Sequence, residues 1–172
     1  MKASLYDDDV VTWSEQQATA LRSLAAKPEL SNAVDWANVI EEIEGLGRSE
    51  RKEVESLIRN ALRHILKGYC DPDSLSRQAW SIETAGFLDD ARSEFRNSMR
   101  SQIDVDRAWQ RAFARACDEL RPYGVLIPPG IPARSPFRLD DILAPSFTFD
   151  RAVTSLHELG PVSLGSGPSN KA

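Results

Sequence analysis

Between Trp36 and His64, the positions 36, 40, 43, 47, 50, 54, 57, 61 and 64 are spaced alternately by four and three. Six of them, Trp36, Ile40, Ile43, Val54, Leu57 and Ala61, are apolar. Only a helix keeps side chains on one face at that spacing, so this run constrains the fold more than any other stretch. Gly45 and Gly47 interrupt it and together cost roughly 2 kcal/mol of helix propensity. The phase is nonetheless the same on both sides of them, and a chain reversal would have no cause to preserve it. The spacing therefore predicts one helix from about Asp35, a fitting N-cap, to Tyr69, roughly 50 Å long at 1.5 Å per residue. The glycines then admit a close neighbour or a slight bend. The helix stops at CDPD, where Pro72 has no N–H to continue the ladder.

Three more helices are predicted. In the first, Tyr6, Val10, Trp13, Ala20, Leu21 and Leu24 recur at helical spacing after Asp7, Asp8 and Asp9, acids suited to the positive end of a helix dipole, and it should stop near Pro28. Another places Trp80, Phe87, Leu88, Ala91 and Phe95 on one face. The last begins near Asn97 or Ser98, presents Ala108, Trp109, Ala112, Phe113, Ala116 and Leu120, and ends at Pro122 and Gly124. Eight of the ten prolines lie from Pro122 onward, so residues 122–160 read as an arm and not as a further bundle helix. Its apolar residues, among them Ile127, Phe137, Ile142, Phe147 and Phe149, are too many to leave solvated, so the arm must dock on its own bundle or on a second subunit. Short helices are expected over 138–143 and 151–159, and residues 161–172 read as a disordered tail. The fold expected is all-α: an antiparallel four-helix bundle over residues 1–121, with one long central helix and a Pro-rich C-terminal arm.

With 172 residues and 41% hydrophobic content the chain can bury one core. It contains no uncharged apolar run of membrane-spanning length and its start lacks the pattern of a signal peptide, so a cytoplasmic protein without a membrane partner is expected. Cys70 and Cys117 have neither CxxC spacing nor a ligand-bearing neighbour, which predicts two reduced thiols. The net charge is −5, and residues 1–45 hold nine acidic side chains against three basic ones. That balance argues against general nucleic-acid binding, whose affinity comes from accumulated positive charge.

The stretch DWANVIEEIEGLGRSERKEVES, followed by RHILK and then Trp80, resembles the bacterial domain-of-unknown-function family twenty-nine, as do the opening Tyr6, Asp7, Asp9 and Trp13. The resemblance runs from about Tyr6 to Leu143. It implies a helical fold and carries no activity, cofactor or catalytic residue. This chain departs from the pattern at Gly68, where the family more often has an aromatic, and in some thirty residues beyond Leu143.

Chemistry-bearing constellations are sparse. Glu41, Glu42 and Glu44 lie on three sides of one helix, and no pair of ExxH motifs faces inward as a di-metal carboxylate site requires. His157 stands in HELG, which lacks the second histidine of a zinc HExxH, so neither metal nor cofactor is expected. Phosphate loops, GxSxG elbows and Cys–His pairings are absent, which leaves catalysis without an anchor. On a continuous helix Glu44 and His64 stand about 30 Å apart. His64, at the edge of the apolar face, is expected to hydrogen-bond a carboxylate or carbonyl of a neighbouring helix.

Arginines recur at i, i+4 as Arg92, Arg96, Arg100 and as Arg107, Arg111, Arg115, two basic stripes suited to an acidic partner or a polyanion. Solvated ion pairs are their plainer reading. The function expected is a small bacterial protein–protein interaction or regulatory module, with a homodimer among its allowed states. Two alternatives stand beside it: a small-ligand receptor or enzyme using Glu44, Arg48, His64, Lys67 and Trp80, and polyanion binding through the arginine stripes.

Overall fold

The computed structural model describes residues 4–27 and 34–159. Among the described residues every regular element is helical. Four helices of 16 to 35 residues stand where four were predicted: α2 (Val10–Ala25), α3 (Trp36–Cys70), α4 (Arg77–Glu94) and α5 (Val105–Leu120). A single turn, α1 (Leu5–Asp8), precedes them. Two short helices, α6 (Leu139–Leu143) and α7 (Phe149–Glu158), lie in the arm. The expected tail, 161–172, and Pro28 fall outside the described residues.

The long helix is unbroken past both glycines. Asp35 caps it, its carboxylate accepting from the Asn38 N–H at 3.3 Å. α2 is capped in the same manner by Asp9, which accepts from the Thr12 N–H at 3.0 Å. One boundary differs from expectation. The last long helix starts at Val105 and not near Asn97, because Asn97–Met99 forms a tight turn that buries Met99. α4 has already ended at Glu94, and the Arg96 guanidinium satisfies the freed carbonyls of Ser93 and Phe95, at 2.6 and 3.1 Å.

The chain divides into two compact units. The first comprises Met1–Leu57 and Asp90–Asp104. Its core is formed by Val11, Ala18, Ile40, Val54, Met99 and Ile103, with Ser14 buried among them. The inward face of α2 is therefore Val11, Ser14 and Ala18, whereas the expected face is only half-buried at Val10, Trp13 and Leu21 and exposed at Ala20 and Leu24. Gly47 explains the rotation. A Cβ there would strike the Ser14 hydroxyl and stand 3.2 Å from the Val11 Cα, so α2 meets α3 backbone to backbone and only small side chains fit between them. Gly45 has no such neighbour; a Cβ there would meet only the Arg48 guanidinium at 3.8 Å. Gly47→Ala is thus expected to destabilise by about 1–3 kcal/mol through overpacking, and Gly45→Ala to stabilise by up to about 1 kcal/mol through helix propensity. Urea midpoints that move in opposite directions for the two substitutions are the expected result.

The second unit comprises Ile58–Asp89 and Val105–Ala172. Ile58, Leu62, Ile65 and Leu66 of α3 bury here with Trp80 and Leu88 of α4, Trp109, Ala112 and Ala116 of α5, and Ile142, Phe149, Val153 and Leu156 of the arm. The arm docks in cis. The Trp109 indole N–H donates to the Pro132 carbonyl at 2.8 Å, Asp106 accepts from the Ser135 N–H at 2.9 Å, and Phe137 stands edge-on between Trp109 and Phe147. α5 ends in a tight turn closed by Gly124, whose φ of 70° favours glycine.

Candidate functional site

The five candidate binding residues divide between the units. In the first, Glu44 pairs with Arg22 and, at 3.8 Å, with Arg48, whose other terminal nitrogen reaches the Glu41 carbonyl at 3.3 Å. Glu44 and Arg48 line a shallow cleft of about 140 Å³ together with Ser14, Gly47 and Arg51. The side chains of Glu44, Arg22 and Arg48 are partly solvated, whereas Ser14 is buried.

In the second unit, His64, Lys67 and Trp80 converge. The register of α3 points His64 and Lys67 toward α4 and α5. The Lys67 ammonium sits 4.6 Å above the Trp80 ring and donates to Glu119 at 3.1 Å. Arg63 donates to the same carboxylate at 3.3 Å and to His64 Nε2 at 2.9 Å. That bond leaves the imidazole proton on Nδ1, which lies 3.1 Å from a Glu83 oxygen but too oblique for a well-formed hydrogen bond. Phe87 closes over the ring with centroids 5.7 Å apart. A neighbouring-helix carboxylate does stand beside His64, Glu83 of α4, but the hydrogen bond expected there is not formed, and the ring, only 4% exposed, is held instead by Arg63 of its own helix.

The electrostatics follow from the packing. Burial, reinforced by the charges of Arg63 and Lys67, pushes His64 down to about 4 and outweighs the attraction of Glu83 and Glu119. Burial alone would raise the Glu119 carboxyl, but the Lys67 hydrogen bond and the charges of Arg63, Lys67 and Arg115 hold it below its ordinary value. Burial, with Cys117 and Asp71 nearby, pushes the Cys70 thiol up to about 12, and burial raises Cys117 as well. Neither is a thiolate at neutral pH. Among the described residues no three His, Cys, Asp or Glu side chains gather as a metal site would need. No described helix is long and apolar enough to cross a membrane.

The arginines expected as two stripes fare differently. Arg92, Arg96 and Arg100 do not share a helix: Arg92 is in the last turn of α4, Arg96 satisfies carbonyls beyond it, including that of Asp8 at 2.9 Å, and Arg100 follows the turn at Asn97–Met99. Arg107, Arg111 and Arg115 do form one face of α5, all three exposed. Arg111 and Arg115 line a cleft of about 340 Å³ together with Arg59, Asn60 and Arg63 of α3. Arg59 and Arg63 were not singled out from the sequence, although their i, i+4 spacing on the long helix is the same signal that marked Arg111 and Arg115. The Arg115–Glu119 pair, at i, i+4 on α5, is legible in the sequence and forms at 3.1 Å, but Glu83 beside His64 and the reach of Glu119 to Arg63 and Lys67 are not, because pairing between helices leaves no trace in spacing along one.

The family model described as "Domain of unknown function DUF29" matches residues 5–148. No curated protein matches the chain. A crystal structure of an alpha-helical protein of unknown function from Rhodospirillum rubrum ATCC 11170 is similar, with 28% sequence identity and a TM-score of 0.80, over 90% of this chain and 99% of that one.

Proposed function

The chain belongs to the DUF29 family, and for it we propose the part of a small cytoplasmic interaction module that docks a cationic amphipathic helix of a partner protein on the solvent face of α4. One observation carries this reading. Leu75, in the turn before α4, is fully exposed, Ile82 is 65% exposed, and Ala79 and Gly86 are exposed between and beyond them. Ala79, Ile82 and Gly86, spaced by three and four, share one face of α4, and Leu75 stands in the turn that leads into it. Nothing stands within 4 Å of where a Gly86 Cβ would be.

Exposed apolar residues scattered singly are ordinary, but a helix face of Ala79, Ile82 and Gly86 preceded by a fully exposed leucine, with a polar rim, marks a docking face. Asp73, Glu83 and Asp89 are exposed around this face, and the one basic residue between 71 and 89, Arg77, is half-buried and paired with Asp150 at 2.9 Å. A partner helix with apolar residues at i, i+3, i+4 and i+7, flanked by lysine or arginine, complements both shape and charge. A second copy of the chain is the rival occupant. Antiparallel pairing centred between Ala79 and Ile82 would seat Leu75 against the small Gly86, yet it would press one acidic rim against the other, at a cost in like-charge repulsion.

The test is titration of the full chain with a helical peptide bearing a leucine stripe and lysine flanks. Saturable binding is expected, weaker at high salt and at least tenfold weaker in the Leu75→Ser, Ile82→Ser double variant, whose helix content should not change because both side chains are solvent-facing. Equal binding of a glutamate-flanked peptide, or indifference to the double substitution, overturns the reading. Concentration-dependent dimerisation abolished by the same pair of substitutions would instead give the face to a second copy.

A further inference from the structure

We infer that the cleft between α3 and α5 binds the phosphate group of a small molecule through the guanidinium groups of Arg59, Arg63, Arg111 and Arg115. This is independent of the α4 face and rests on different residues. Each helix contributes an i, i+4 arginine pair, which places two guanidinium groups on one side of the helix a turn apart. Ala112, fully buried, leaves the floor of the cleft open, and Asn60 adds an amide beside the arginines.

Three cations at the cleft share one carboxylate: Glu119 serves Arg63 at 3.3 Å, Arg115 at 3.1 Å and Lys67 at 3.1 Å. Arg111 has no ion-pair partner among the described residues. Arg63 is only 22% exposed, and its Nε is buried without an acceptor. Gathering like charges at a partly dry site is unfavourable unless an anion completes it. Burial lowers the His64 value most, and the charges of Arg63 and Lys67 lower it further.

The donor set selects the anion. A carboxylate carries one charge on two acceptor oxygens, whereas a phosphate offers up to two charges and three acceptor oxygens, better matched to forks from two helices at once. The chain meets the cleft with arginine and not lysine at all four positions, which is the choice for planar, bidentate contacts.

The experiment is calorimetric titration of the full chain with inorganic phosphate and with pyrophosphate, followed by citrate and a single-stranded oligonucleotide. Pyrophosphate is expected to bind one-to-one and saturably, and at least tenfold more weakly after Arg111→Gln. Arg121→Gln removes an equal charge from an exposed arginine of the same unit, paired with Asp118 at 3.2 Å, and should leave binding unchanged. Helix content should survive Arg111→Gln, because that side chain is exposed. Lack of saturable binding by either phosphate at millimolar concentration overturns the inference, as does equal weakening by the two substitutions. Citrate binding as tight as pyrophosphate would overturn the phosphate assignment, and an oligonucleotide binding more tightly than pyrophosphate would overturn the small-molecule assignment.

Discussion

Replacing Gly68 with valine will lower the stability of the chain by about 3 kcal/mol or more. A Cβ at this position would collide with the Phe149 ring, meeting Cζ head-on and standing 2.9 Å from Cε2 and 3.2 Å from Cε1. The ring cannot retreat cheaply. It is 3% exposed, and the Arg77 guanidinium covers it at 5.0 Å while donating to the Gly68 carbonyl at 3.3 Å and to Asp150 at 2.9 Å. Phe149→Ala should itself cost about 3–5 kcal/mol by opening a cavity. The decisive measurement is the double variant. Because the valine would occupy part of the space the ring leaves, the two losses should be less than additive by about 1 kcal/mol or more in urea unfolding, and strict additivity would show that the clash is relieved elsewhere.

Stability will also fall on mild acidification, and His64 will be responsible. Its folded value is about 4 against 6.5 for an ordinary imidazole. Between those two values the unfolded chain takes up a proton that the folded chain refuses, so stability rises with pH through the window and is flat above it. The shift corresponds to about 3 kcal/mol lost between pH 7 and pH 4. His64→Gln removes the titrating group, so its stability should vary much less over that range, even if the substitution costs about 1–2 kcal/mol at pH 7 through the altered bond to Arg63. Urea unfolding at half-unit steps from pH 4.5 to 8 would show two parallel curves if the histidine were not the cause. Glu119 and Asp9, both held below their ordinary values, add losses only at lower pH, as each takes up its proton.

The part of the fold that follows from periodicity was legible before any coordinates. The phase kept across Gly45 and Gly47 predicted an unbroken α3, and Asp35, Pro72, Pro122 and Gly124 marked ends because their backbone chemistry permits little else. What escaped was the consequence of two elements meeting. Val10, Trp13 and Leu24 outweigh Val11, Ser14 and Ala18 in hydrophobicity, yet the smaller set faces inward because Gly47 brings the backbones too close for large side chains. Asn97 looked like a helix start because nothing local distinguishes an isolated turn from a first turn.

The same limit governed the candidate site. His64, Lys67 and Trp80 were named from one helix face and one aromatic, and the structure brings all three into a single cluster. Glu44 and Arg48 were named with them and belong to the other unit. Glu83, Arg59 and Arg63, and the reach of Glu119 beyond Arg115 to Arg63 and Lys67, emerge only once neighbouring helices are placed, because nothing in the order of residues says which carboxylate a buried cation will find.

The family match stops at residue 148, yet α7, which begins with Phe149, sinks four of its ten side chains, Phe149, Ala152, Val153 and Leu156, into the interior. Inheritance and cohesion therefore have different borders in this molecule. A fragment trimmed to the shared region would keep every recognisable motif and lose the stopper from its own socket, so whoever dissects the chain should cut by burial and not by kinship.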